Sequence, residues 1–309
     1  MTLDAKTRKR LTTSAAAFSI TVALLLAGLK LWAVWRTGSA AMLGSLADTA
    51  LDLIASIATL AGVWIAAMPA DEDHRWGHGK AEALSAMLQV VLITLSAFGI
   101  AIRSIGQWLA GARPEAAEEG IAVSLIAILA TLALLAWQRH VIRRTRSIAI
   151  ATDQLHYASD LLLNVAVIAA LVLDQYVGLA GSDPFFGIVI ALWLAWGAWR
   201  ASHQAIDALM DKEWPDEDRE RFLSVIAQQD EVRGAHDLRT RTSGAHDFAQ
   251  FHAVLDPEMS VAEAHRVIDA LEARLVKAFP GVEVLVHIDP EGRVAPAGDG
   301  PEELLPDRR

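Results

Sequence analysis

Long apolar runs broken by short polar stretches occupy the first two-thirds of the chain. A membrane-spanning helix needs about 20 mainly apolar residues. Six windows meet that length: residues 12–34, 40–68, 82–110, 119–138, 152–178 and 184–207. The breaks between them carry turn or charge signals, at Arg36-Thr37-Gly38 and in residues 69–80, 111–120, 139–146 and 178–184. An even number of spans returns both termini to one side of a membrane.

After residue 207 the pattern shortens. Residues 216–229 read as a helix with Pro215 at its start. Residues 236–242 and 248–255 are β-rich runs separated by Ser243-Gly244, a hairpin signal. Ser260 opens a helix whose Glu263, three residues on, completes a capping box, and the helix runs to about Phe279. Residues 282–288 form a third strand, which gives the order αββαβ. The tail, residues 291–309, is rich in Pro, Gly and acids and is expected to be disordered. The predicted fold is a membrane all-α bundle of six transmembrane helices (residues 1–207), followed by a small α+β domain (residues 208–290).

Hydrophobic residues fill 53% of the 309 positions, and a soluble domain of this length is rarely so apolar. Residues 1–207 hold 15 basic and 15 acidic side chains, whereas residues 208–309 hold 12 basic and 22 acidic, so the net charge of −10 lies wholly in the last third. That balance argues against a nucleic-acid partner and suits cations. The chain has no cysteine. Disulfides and thiolate sites are therefore excluded, and a metal must be held by imidazole, carboxylate, carbonyl or water.

Lys6, Arg8, Lys9 and Arg10 precede the first run as they would in a signal peptide, but the run is long and more spans follow. It is expected to stay as the first transmembrane helix. Basic residues also set orientation. Arg75 and Lys80 follow the second run, and Arg139, Arg143, Arg144 and Arg146 follow the fourth, whereas the alternate loops carry Arg36 and Arg113. Both termini are expected in the cytoplasm, with the chain in the inner (plasma) membrane.

The second run contains Asp48 and Asp52, and the fifth contains His156 and Asp160. Each pair is spaced i, i+4, which puts both members on one helix face about one turn apart. An Asp at the centre of a spanning helix costs roughly 2.5–3.5 kcal/mol, so three of them beside a His call for a compensating cation. Two facing pairs supply the four N/O ligands of a tetrahedral Zn2+ shell. Ser45, Thr49 and Ser56 follow the same face of the second helix and Asn164 that of the fifth, as outer partners or the lining of a wet path. Otherwise these polar groups satisfy one another or pair with Lys30 or Arg103. A divalent ion neutralises two of the three carboxylate charges, and the residual charge suits exchange of metal for protons.

These pairs, with DEDHRWGHGKAE after the second run and GAHDLRTRTSG in the last third, resemble the cation diffusion facilitator family, in particular its bacterial zinc and ferrous-iron efflux members. The resemblance covers nearly the whole chain. It implies a homodimer with six spans per protomer and a cytoplasmic, metallochaperone-like domain that binds metal and dimerises. It implies exchange of cytoplasmic metal for external protons, with Zn2+ first and Cd2+ or Fe2+ as alternatives. Asp48, Asp52, His156 and Asp160 match the family's transport site. Asp71, His74 and His78 match a second, more exposed loop site, whose Asp-x2-His-x3-His spacing lets three ligands hold one ion in a modulatory or entry role. His236, His252, His287 and Asp289 match a two-metal cytoplasmic cluster near the dimer contact, with the His265 position close by. Ile288 stands where the family often has Gln, which removes a side-chain carbonyl from that cluster. Lys80 and Asp211 match a charge pair tying the membrane domain to the segment before the soluble domain. His246 matches no ligand position, and His140 and His203 lie at span ends.

The expected activity is proton-coupled export of divalent metal rather than an enzymatic reaction. An intramembrane metalloenzyme needs an open coordination position and a positioned base, but the chain has no HExxH motif and four ligands close the shell. The remaining alternative is a metal-sensing membrane scaffold without transport, which has no need of mid-membrane carboxylates.

Overall fold

A computed structural model of the chain describes residues 5–37, 40–110, 121–173 and 182–292. It divides into two compact units, Ala5–Ile206 and the part that starts at Asp207. The loop at 111–120, residues 178–181 of the next expected break, Gly38 and the tail from residue 293 lie outside the described residues.

Six long helices build the first unit: α1 (Ala5–Thr37), α2 (Ala40–Ala66), α3 (Ala81–Ala110), α4 (Ile121–Thr145), α5 (Ile148–Val172) and α6 (Ser182–Leu209). Among the described residues, five of them are long and apolar enough to cross a membrane. The exception is α5, whose first half is loaded with Asp153, Gln154, His156 and Asp160.

The helices extend past the expected breaks. The basic segment at 139–146, expected as a loop, is instead helical up to Thr145, and the chain turns at Arg146, whose φ is +51°. Arg143 and Arg144 lie in the last turn of α4, where cations complement the helix dipole. Pro184, expected in a break, falls in the first turn of α6, where its missing N–H breaks no helical hydrogen bond.

α1 packs against α2 and α4, α4 against α5, and α3 against both α2 and α5. Small residues take part in these contacts, with Ala15, Ala16 and Ala149 beside Val63, Val141 and Ile150. α6 joins through Ile190, Leu194 and Ala198, which meet Val90, Ile93 and Ala97 of α3. Larger apolar side chains such as Leu95, Phe98, Ile102 and Leu192 face outward. Lipid tails are as apolar as Leu, so close packing of small residues and internal polar contacts hold such helices together. The polar groups are accordingly inside: Ser19, Thr59, Gln89, Gln138 and Asp153 are buried.

The second unit follows the order α7 (Asp216–Ile226), β1 (Gly234–Ser243), β2 (His246–Leu255), α8 (Val261–Ala278) and β3 (Val282–Pro290). α7 ends three residues earlier than expected, and His246 opens β2 instead of lying in the turn. The sheet order is β1-β2-β3, with β1 and β2 antiparallel and β2 and β3 parallel. Ser243 pairs with His246, so Gly244 and Ala245 form the hairpin loop, and Gly244 adopts φ +60°. Two-residue hairpins favour glycine there because the first loop position needs positive φ. A parallel strand needs a crossover, which α8 supplies. The capping box forms: Ser260 Oγ accepts from the Glu263 amide at 3.3 Å, and Glu263 Oε2 accepts from the Ser260 amide at 2.9 Å. Alternate β2 residues Ala249, Phe251, Ala253 and Leu255 join a core with α7 and α8. By the period of two, His252 lies on the other face of the sheet.

Candidate metal centres

α2 and α5 bring Asp52 and His156 together, with His156 Nε2 2.9 Å from Asp52 Oδ1. Asp160, one turn further along α5, has Oδ2 3.9 Å from the same nitrogen. The three groups offer ligand atoms that all lie within 4.8 Å of one another. One imidazole and two carboxylates converging inside a bundle suit a divalent cation of borderline softness. Asp48 lies on α2 four residues before Asp52; its side chain, like that of Ser45, falls outside the described ones. The neighbouring polar residues have partners of their own. Lys30 Nζ donates to Thr49 Oγ1 at 2.6 Å, Ser56 Oγ bonds Tyr157 Oη at 2.8 Å, and Asn164 Nδ2 donates to the Asp160 carbonyl at 2.7 Å.

Asp153 is missing from the sequence-derived set because the expected window begins at residue 152, which puts it at a membrane edge. α5 begins at Ile148 and buries Asp153 completely. Its signal in the sequence is simply a carboxylate within a spanning run. Glu82 was equally unmarked. It is 4% exposed, accepts Arg8 Nη2 at 3.2 Å and Ser147 Oγ at 2.9 Å, and so ties the starts of α1, α3 and α5.

The loop between α2 and α3 brings its three residues together. Asp71 Oδ1 lies 3.2 Å from His74 Nδ1, and Asp71 Oδ2 lies 3.3 Å from His78 Nε2. The Asp71 carboxylate also accepts the backbone N–H of His74 at 2.6 Å and of Asp73 at 3.1 Å. The His74 backbone bond is the chief cause holding the Asp71 carboxyl below its ordinary pKa. An ionised Asp between two imidazoles is a chemically competent cation site. His78 Nδ1 is buried without a hydrogen-bond partner.

In the second unit His236 pairs with His252 and His252 with His287, so the three imidazoles form one row across the sheet. Asp289 shares a strand face with His287 and collects the row. Its Oδ2 lies 2.8 Å from His252 Nδ1 and 3.1 Å from His236 Nε2, and its Oδ1 lies 3.4 Å from His287 Nε2. Burial raises the Asp289 pKa, but the hydrogen bond from His252 and the charges of the histidines outweigh it and hold the carboxyl below its ordinary value. Asp237 adds an unpredicted carboxylate 3.9 Å from His252 Nε2. Its φ is +51°, at a register shift between His236 and Arg239. Asp enters this left-handed region more readily than most residues.

The family model for the cation efflux transmembrane domain matches residues 16–210. The chain belongs to this family, the cation diffusion facilitators. The model for the cytoplasmic domain of cation efflux proteins matches residues 214–291. The cation-efflux pump FieF of Pectobacterium atrosepticum is 40% identical over 285 residues, covering 92% of this chain and 95% of that one. FieF of Yersinia enterocolitica is 41% identical over 280 residues, covering 89% and 92%. A solved structure of CzrB in its zinc form is 36% identical and covers 28% of this chain and 99% of that one, with a TM-score of 0.27.

This cation diffusion facilitator is thus a multi-pass membrane protein of a metal-efflux family, which is not a family of enzymes. Its cytoplasmic unit departs from a simple five-residue cluster. His236, His252 and Asp289 converge within 4.8 Å. His287 borders the group, with its ring centroid 4.5 Å from that of His252 and its Nε2 3.4 Å from Asp289 Oδ1, but its side chain is 66% exposed. His265 sits on α8 at 3.6 Å from Asp269, apart from that group. Ile288 points away from His287 and Asp289 by strand alternation. His140 and His203 stack on or abut Trp137 and Trp199.

Proposed function

We propose that this chain is a proton-coupled antiporter that exports divalent metal from the cytoplasm, Zn2+ first, with Cd2+ or Fe2+ as further cargo. The observation that carries this reading is the convergence of Asp52, His156 and Asp160 from two helices inside the membrane unit. Asp48 completes the transport site as its fourth ligand, and α5 also crosses the membrane, as the fifth of six spans. Both termini face the cytoplasm, as the basic residues indicate.

Metal enters while the site faces inward and leaves when the site faces outward and its ligands take up protons. Ligands bind metal only when deprotonated, so the two cargoes compete for the same atoms. Rocking of α2 and α5 with their neighbours switches access. The residues 1–207 form the transport domain, and residues 208–290 form a cytoplasmic domain that dimerises the protein. There His236, His252, His287 and Asp289 hold regulatory zinc, with His265 nearby in the dimer. The N/O donor set and the carboxylate shared among three imidazoles fit that ion. Asp71, His74 and His78 form an entry or modulatory site.

Flux of zinc, cadmium and ferrous iron into proteoliposomes under a pH gradient tests the reading. Zinc movement is expected in the parent protein and its loss in Asp52→Ala and Asp160→Ala. Parental flux in both variants would refute the transport site. Intact metal binding without flux in the parent would leave a metal-sensing scaffold.

A further inference from the structure

We propose that Asp153 is a positioning residue for metal transport, a buried carboxylate that cross-links five helices and presets the spacing of the ligand-bearing helices α2 and α5. The proposal rests on the transport-site reading above. Asp153 Oδ2 accepts Ser19 Oγ of α1 at 2.6 Å and Gln138 Nε2 of α4 at 2.7 Å. Its Oδ1 accepts Gln89 Nε2 of α3 at 2.9 Å, and the same amide donates to Thr59 Oγ1 of α2. One side chain from each of α1 to α5 therefore meets at this point, and all five are at most 1% exposed.

The two amides show what organises the knot. Both turn their NH2 groups to Asp153, while Gln89 Oε1 and Gln138 Oε1 have no hydrogen-bond partner. The carboxylate dictates their orientation. Such a network, shut away from water, holds its members more firmly than a surface network does, because a released group finds no replacement partner.

A second tie runs beside it. Tyr157 Oη donates to the Ser19 carbonyl at 3.1 Å and bonds Ser56 Oγ of α2 at 2.8 Å. On α5, His156 lies in sequence between the two anchored residues Asp153 and Tyr157. On α2, Asp52 lies one turn before Ser56. The 2.9 Å approach of His156 to Asp52 is thus set by contacts that are not themselves ligands. Asp153 is outside the group of converging ligand atoms.

Loss of these contacts leaves the ligands present but no longer prearranged, so metal binding must do the ordering. Removal of a residue that orients metal ligands typically costs 10–100-fold in affinity. Zinc flux against zinc concentration in proteoliposomes of the full chain tests this, with melting temperature measured on the same preparations. Asp153→Asn is expected to raise KM about tenfold, equivalent to about 1.4 kcal/mol, with kcat within about twofold. Ser19→Ala, which removes one hydrogen bond, is expected to raise KM less, and it decides the matter if Asp153→Asn does not fold. An unchanged KM, with or without a lower melting temperature, overturns the proposal, as does a fall in kcat alone. Asp52→Ala separates the two readings. Parental flux there refutes the transport site itself, whereas lost flux there with normal KM in Asp153→Asn and Ser19→Ala refutes only the positioning role.

Discussion

Replacing Arg8 by Leu strands a buried charge, and the structure sets the size of the effect. Glu82 is 4% exposed and holds Arg8 Nη2 at 3.2 Å. Arg8 Nε also donates to the Thr145 carbonyl at 3.3 Å. At an effective dielectric constant of about 20, two unit charges at that separation attract by about 5 kcal/mol. Desolvation of both ions offsets most of this, so the intact pair contributes little. The stranded carboxylate is the costly state, since breaking one side of a buried pair costs roughly 3–5 kcal/mol. Ser147 Oγ still donates to Glu82 at 2.9 Å, which places the loss near the lower end, about 3 kcal/mol. Thermal unfolding of the purified full chain, followed by tryptophan fluorescence, reads it. At about 2–4 °C per kcal/mol for a unit of this size, the midpoint should fall by about 6–12 °C. Adding Glu82→Gln to Arg8→Leu removes the stranded charge and should recover at least half of the loss. A drop below about 2 °C in Arg8→Leu, or a further drop on adding Glu82→Gln, would refute the reasoning.

Three further outcomes are expected. A Cβ at Gly62 would meet the Ser85 side chain on α3 and stand 3.1 Å from the Ala81 carbonyl. Gly62→Ala should therefore cost roughly 1–3 kcal/mol by overpacking, seen as a lower melting midpoint that Ser85→Gly largely restores. Asp289 has a depressed pKa in the fold, so its stabilisation is complete above the unfolded carboxylate value of about 4 and drains as pH falls below it. Unfolding of the full chain should depend more steeply on pH in that acid range than unfolding of Asp289→Asn, and equal slopes would sink the assignment. Ile288 lies on the sheet face opposite His287 and Asp289, so Ile288→Gln should leave zinc binding unchanged. With the transport site silenced by Asp52→Ala, equilibrium dialysis should give matching isotherms with and without Ile288→Gln, and tighter binding with Ile288→Gln would refute this.

The elements that the chain's own periodicity marks are those where one local rule suffices. The pairing of His156 with Asp160 on one face of α5 was legible because i, i+4 spacing on a helix places groups on one face whatever the helix packs against. The hairpin at Gly244 and the capping box at Ser260 were legible because turn and cap chemistry acts within a few residues. The helix ends were harder, because Arg139–Thr145 looks like a polar loop in hydropathy yet continues α4. Arg at a helix end is favoured by the dipole and is free to reach the membrane surface.

Tertiary structure alone decided three matters. Strand register put His236, His252 and His287 in one row and gave Asp289 its place among them. A slip of one residue would have moved a histidine to the opposite face. A left-handed backbone at Asp237 brought a further carboxylate toward His252. Packing of α1 to α5 turned Asp153 from an apparent span-end residue into the centre of a buried knot. Sequence spacing ranks neighbours along one helix or strand. It carries no information on which side chains of five separate helices meet, because that depends on crossing geometry and on which polar groups can satisfy one another away from water.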